Sequence, residues 1–152
     1  MEQSLEKSGW NLNPMFYWQY VMNKSARVIP EVRFIDYPLD EVELIKIAYE
    51  NPGIHFTVET EDNPGGVLVH QNNVKYVWRK LLNPQERLKA LGLTDYVICR
   101  EDDPLGLEAG LCGVEVKHYK SIQGLSQDIE NLKVLDSVER ITNWEKTKSL
   151  LT

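Results

Sequence analysis

Cysteine is scarce: Cys99 and Cys112 are the only two in 152 residues. Two are too few for the disulfide framework of a small secreted domain, and reduced thiols inside a cell are the simpler expectation. No apolar run approaches the roughly 20 residues of a membrane span. The opening Met1-Glu2-Gln3-Ser4-Leu5-Glu6-Lys7 lacks the make-up of a signal peptide. The expected location is the cytoplasm, with no membrane partner. His55, His70 and His118 keep no metal-ligand spacing with one another or with the cysteines. Neither cysteine has a base nearby in sequence, so nucleophilic catalysis has no support. There is no phosphate-binding glycine loop, zinc motif or serine elbow. There is also no internal repeat and no low-complexity tract.

What is present is ordinary for a globular chain: 42% hydrophobic and 26% charged residues. The length fits one domain, residues 1–152, with residues 1–12 loosely held. The net charge of −6 does not advertise nucleic-acid binding, although a local basic patch can still grip phosphates.

The chain mixes strand and helix patterns. Asn13 can cap a helix and Pro14 suits its first turn. Residues 13–22 are apolar nearly all round, which fits either a buried helix or a homodimer contact. Residues 28–37 alternate as a strand. Asp40 and Glu43 then have capping-box spacing at the head of a helix that runs to Glu50. Residues 54–60 and 67–69 flank Asp62-Asn63-Pro64-Gly65-Gly66 and read as a hairpin. Residues 72–82 show helical periodicity, and Asn83-Pro84 opens another helix that ends at Gly92. Residues 126–151 read as mostly helical, although 137–144 can be drawn as a strand.

The stretch 94–120 carries the most chemistry. Residues 94–100 suit a strand, 101–106 are breakers, and 112–119 alternate. Glu115 and Lys117 share a face, roughly 6–7 Å apart along the strand. Such a carboxylate can hold a hard cation, and the ammonium can orient water at a phosphate. In an antiparallel pairing an even register places Asp95 on that face as a second acid. An odd register instead sets Cys99 opposite Cys112 and suggests a disulfide. Asp102 and Asp103 compete with Asp95, but they lie among the breakers and rank below it. A solvated Glu115–Lys117 pair is the plain alternative.

Thr94-Asp95-Tyr96-Val97-Ile98 followed by Gly113-Val114-Glu115-Val116-Lys117 resembles the signature of the PD-(D/E)xK nuclease superfamily. The resemblance implies an α/β fold with a central mixed β-sheet flanked by helices, the restriction-endonuclease-like core. It implies Asp95 and Glu115 as ligands of Mg²⁺, with Mn²⁺ as a substitute, and Lys117 as the catalytic lysine. It further implies a following helix carrying a glutamine, here Gln127. The backbone carbonyl of Val116 completes the expected metal set.

The expected function is metal-dependent hydrolysis of phosphodiesters, in DNA first and RNA second, by a homodimer joined through residues 13–22. Lys75, Arg79 and Lys80 precede the motif and Lys120 follows it; all four are candidate nucleic-acid contacts. Arg87, Lys89, Arg100 and Lys133 can add to the same groove. A solvated helix face is the alternative for the basic residues that precede the motif. The competing reading for the whole chain is a non-catalytic binding or regulatory module acting through protein–protein contacts.

Overall fold

The computed structural model describes residues 13–22, 28–66 and 71–151. Five strands form one sheet in the order β3-β2-β1-β4-β5, and every neighbouring pair is parallel. They are β1 (Glu31–Phe34), β2 (His55–Thr60), β3 (Val74–Trp78), β4 (Tyr96–Ile98) and β5 (Glu115–Lys117). The helices are α1 (Trp18–Val21), α2 (Glu41–Glu50), α3 (Pro84–Gly92), α4 (Pro104–Leu111), α5 (Ile122–Asp128) and α6 (Ser137–Ser149). The architecture is thus α/β with flanking helices, as expected, but the sheet is parallel rather than mixed.

The parallel arrangement follows from local signals. Asp40 caps α2 by accepting from the amides of Val42 and Glu43. Asn83 caps α3 over Pro84. The residues that read as breakers between β4 and β5 start a helix: Asp103 accepts from the Leu105 amide and Pro104 takes the first turn of α4. A helix between two adjacent strands makes a crossover, not a hairpin. Tyr96 therefore lies beside Glu115, and Ile98 beside Lys117.

Two further expectations change. Residues 74–78, read as helical, form β3 against β2; the Val/Tyr/Trp content prevails over a short periodic match. The return arm of the proposed 54–69 hairpin lies at 67–69, outside the described residues, and β2 runs parallel to both of its neighbours. Residues 137–149 are helical, with a full capping box formed by Asp136 and Glu139. Val138, placed on the inward face from sequence, is exposed.

The alternating residues of the strands feed two cores. Val32, Phe34, Phe56, Tyr96 and Ile98 pack under α2 and α5. Val97, Cys99 and Val114 pack with α3, α4 and Trp144 of α6. Residues 13–22 join this second core through Tyr17 and Val21. Trp18 sits edge-on to Trp144, with ring centroids 4.8 Å apart. Both cysteines are buried and free. No helix among the described residues is long and apolar enough to cross a membrane.

Asp95 fastens this frame at the edge where β1 and β4 begin. It is fully buried, and its two carboxylate oxygens accept from the amides of Glu31 and Leu135, each at 2.9 Å. Hydrogen bonds to a charged acceptor contribute roughly 1.5–3 kcal/mol each, and removing the acceptor strands buried donors. Asp95→Ala is expected to lower the unfolding free energy by about 3 kcal/mol in urea titration. A loss below about 0.5 kcal/mol would contradict this structural role.

Candidate functional site

In an open parallel sheet, ligands bind beyond the C-terminal ends of the strands, where the strand order reverses. Here that point lies between β1 and β4. A cleft of about 760 Å³ opens there, lined by residues that follow β1, β2, β3 and β4. Its volume falls within the roughly 300–1,000 Å³ of small-molecule sites.

Its floor is an ion-pair network. Arg33 on β1 and Glu59 on β2 point to the same side of the sheet, since Arg33 pairs with Thr57 two residues away. The Glu59 side chain is completely enclosed. Arg33 Nε donates to Glu59 Oε1 at 2.8 Å, and Arg87 Nη2 donates to Oε2 at 2.6 Å. Arg79, in the 3₁₀ turn just after β3, lies 3.4 Å from Glu59 Oε2 through its Nε. Three guanidiniums thus match the enclosed Glu59, and Arg79 and Arg87 among them line the cleft.

The mouth is acidic. Asp36 follows β1 in a left-handed conformation, φ 51°. Aspartate is one of the few residues that adopt it, and such backbones concentrate at functional sites. Arg79 Nη2 stands 2.6 Å from Asp36 Oδ1. Asp103, at the head of α4, hydrogen-bonds to Asp36. Burial, then the neighbouring Asp36 carboxylate, push Asp103 up to about 6 despite the Leu105 amide. Burial opposes ionisation of Asp36, but Arg79 and the proton offered by Asp103 hold it below the usual carboxylate range. Below about 6 Asp103 keeps its proton beside the Asp36 carboxylate, and above that both are ionised. Asp102, Glu61 and Arg100 complete the rim.

The residues expected from sequence are distributed differently. Asp95 is committed to two backbone amides, as described above. Glu115 opens β5 beside Tyr96, also at the strand-start edge. Lys117 Nζ donates to Asp128 at 2.8 Å. That bond, with those from Tyr119 and Asn131, holds Asp128 down to about 2. Gln127 is exposed on α5, and Val116 lines a second hollow. Lys75, Lys80 and Lys120 are exposed, Lys80 over the Trp78 ring. Of the expected nucleic-acid contacts, Arg79 lines the cleft.

Asp95 is fully buried, and each of its oxygens already accepts a backbone amide, from Glu31 and from Leu135. Among the described residues no three acidic, histidine or cysteine side chains gather as a metal-binding group. Asp102 and Asp103, ranked below Asp95 from sequence, are the ones at the cleft. Asp36, Glu59 and Arg33 were passed over. A strand ending in Asp36, then Pro38 and the Asp40 cap, is the signal that could have found the first of them. No known protein family matches the chain, and no curated protein sequence matches it significantly.

The upward shift of Asp103 has a signed consequence. Its favourable contribution is fully present at pH below the ordinary carboxylate value and is lost as pH rises through about 6. Burial pushes Glu108 on α4 up to about 7, with the same sign. Asp36 acts oppositely, and its contribution is lost only in acid. Asp103→Asn is therefore expected to flatten the fall in stability between about pH 4 and 6, leaving the part that Glu108 carries up to about 7. Urea unfolding across this range measures it. An unchanged slope would refute the upward shift of Asp103.

Proposed function

We propose that the protein is a metal-dependent nuclease that hydrolyses phosphodiesters, in DNA first and RNA through the same site, with its chemistry in the cleft rather than at Asp95 and Glu115. The observation that carries this reading is that Asp36 and Asp103 line one cleft together with Arg79 and Arg87. Asp36 and Asp103 would be the residues to hold a hard divalent cation, Mg²⁺ or Mn²⁺. Mg²⁺ is commonly held by one or two protein carboxylates, with waters and substrate phosphate filling its other positions. The cation supplies charge stabilisation at the phosphate and a more acidic bound water.

The chain's own groups divide the remaining work. Arg79, which reaches both Asp36 and Glu59, would be the guanidinium nearest a phosphate bound beside a cation at Asp36. Glu59 keeps Arg33 and Arg87 fixed, so positive charge stays in the floor without reorganisation. Arg100 at the rim contacts the neighbouring phosphate. The net charge of −6 is compatible with this because the cationic groups are local.

A panel of plasmid, single-stranded DNA and RNA with Mg²⁺ or Mn²⁺ tests the reading. Cleavage is expected for the parent chain. Asp36→Asn and Asp103→Asn should each lower the rate about 100-fold, a loss of roughly 3 kcal/mol of transition-state stabilisation. Folded Asp95→Asn should retain the parent rate. Loss in Asp95→Asn with retention in Asp103→Asn would overturn the placement, and no cleavage by the parent would overturn the function.

A second reading, a non-catalytic module acting through residues 13–22, is favoured by one observation. Met15, Phe16 and Met22 remain exposed beside the buried Tyr17. It gains ground if the panel shows no cleavage and the chain self-associates through that segment.

A further inference from the structure

A second hollow, about 290 Å³, lies against the same loop as the cleft. The two share Asp102, Asp103 and Pro104 as a common wall. The hollow is at the small end of ligand pockets, roughly 300 Å³, enough for a planar heterocycle rather than a whole nucleotide. Its body is apolar, made by Pro104, Gly106, Leu107, Val116 and Leu150. Gly106 lets α4 lie close on the sheet beneath the hollow: a Cβ there would stand 3.1 Å from the buried Cys99 Sγ and 3.5 Å from Val116 Cγ1.

The polar side chains around it are acceptors. Glu101 and Asp102 bring carboxylates. His118 Nδ1 lies 3.0 Å from the Cys99 carbonyl oxygen, which can only accept, so Nδ1 carries the proton. Its Nε2 is then an acceptor in the neutral ring. The Thr147 hydroxyl already donates to the Asn143 carbonyl at 2.9 Å. An occupant must therefore be flat, apolar on its faces and rich in N–H groups at its edge.

We infer that this hollow is the base subsite of the nuclease cleft: it holds an unpaired, amine-bearing nucleobase next to the phosphate bound on the other side of the Asp102–Pro104 wall. This rests on the reading of the cleft given above. Guanine fits best, because its adjacent N–H and amino donors can meet one carboxylate. Uracil and thymine fit worst, because they turn carbonyl oxygens toward Glu101 and Asp102. A base can enter only when unstacked, so the substrate is single-stranded at this nucleotide.

Amide and methyl NMR titration of the full chain, with Mg²⁺ present, separates the two sites. Inorganic phosphate is expected to shift signals of Arg79, Arg87 and Arg100 and to leave the hollow unmoved. Guanosine 5′-monophosphate should also shift Leu107, Val116 and Leu150, binding at least about tenfold tighter than uridine 5′-monophosphate. Leu150→Trp, a change at an exposed side chain, should abolish the hollow's response and keep the phosphate response. Guanosine monophosphate shifting the cleft alone would overturn the subsite while sparing the cleft reading. Shifts in the hollow with no phosphate response would sustain the subsite and sink the cleft. No response to any probe would overturn both.

Discussion

The enclosure of Glu59 by Arg33, Arg79 and Arg87 is the interaction on which the rest of the site depends. A carboxylate with no exposed surface is tolerable only when its charge is matched and its lone pairs are used. Three guanidiniums do this, and each arrives from a different part of the chain: β1, the turn after β3, and α3. The network thereby ties the C-terminal ends of β1, β2 and β3 to a helix on one face. It also leaves Arg79 with a second task, because the guanidinium that touches Glu59 reaches Asp36 as well. A buried cluster of this kind is weak evidence of stability for its own sake; hydrophobic residues of similar volume would often fold as well. Two of its guanidiniums, Arg79 and Arg87, line the cleft.

From that constraint the electrostatic layout follows. Arg79 joins the two halves, pairing with the enclosed Glu59 below and with Asp36 at the mouth. Under the proposed function a metal ion would take over at the acids and a phosphate at the guanidiniums. The overall acidity of the chain says little about this, since the arginines concerned are drawn together from positions as distant as Arg33 and Arg87.

The sequence revealed some of this and hid the rest for identifiable reasons. The caps at Asp40 and Asn83 were legible because a capping side chain and a first-turn proline act within a few residues. The helix after β4 was hidden by the same chemistry: Asp103-Pro104 is a helix start, yet amid Glu101, Asp102 and Gly106 it reads as a turn. That one misreading converted a parallel crossover into a hairpin. The antiparallel register then put Asp95 on the face of Glu115 and Lys117, whereas the parallel pairing gives that place to Tyr96. β3 was missed because Val74 and Trp78, four residues apart, fit both periods. The partners of Glu59 are separated by tens of residues, so no local pattern announces them.

The central claim is that a divalent cation binds at the mouth of the cleft and nowhere near Asp95. Paramagnetic broadening by Mn²⁺ in the NMR spectrum of the full chain tests it most directly. The account predicts saturable loss of the amide signals around Asp36 and Leu105 at low Mn²⁺, with those of Tyr96 and Val116 persisting. Broadening centred on Tyr96 and Glu115, or none that saturates, would contradict it.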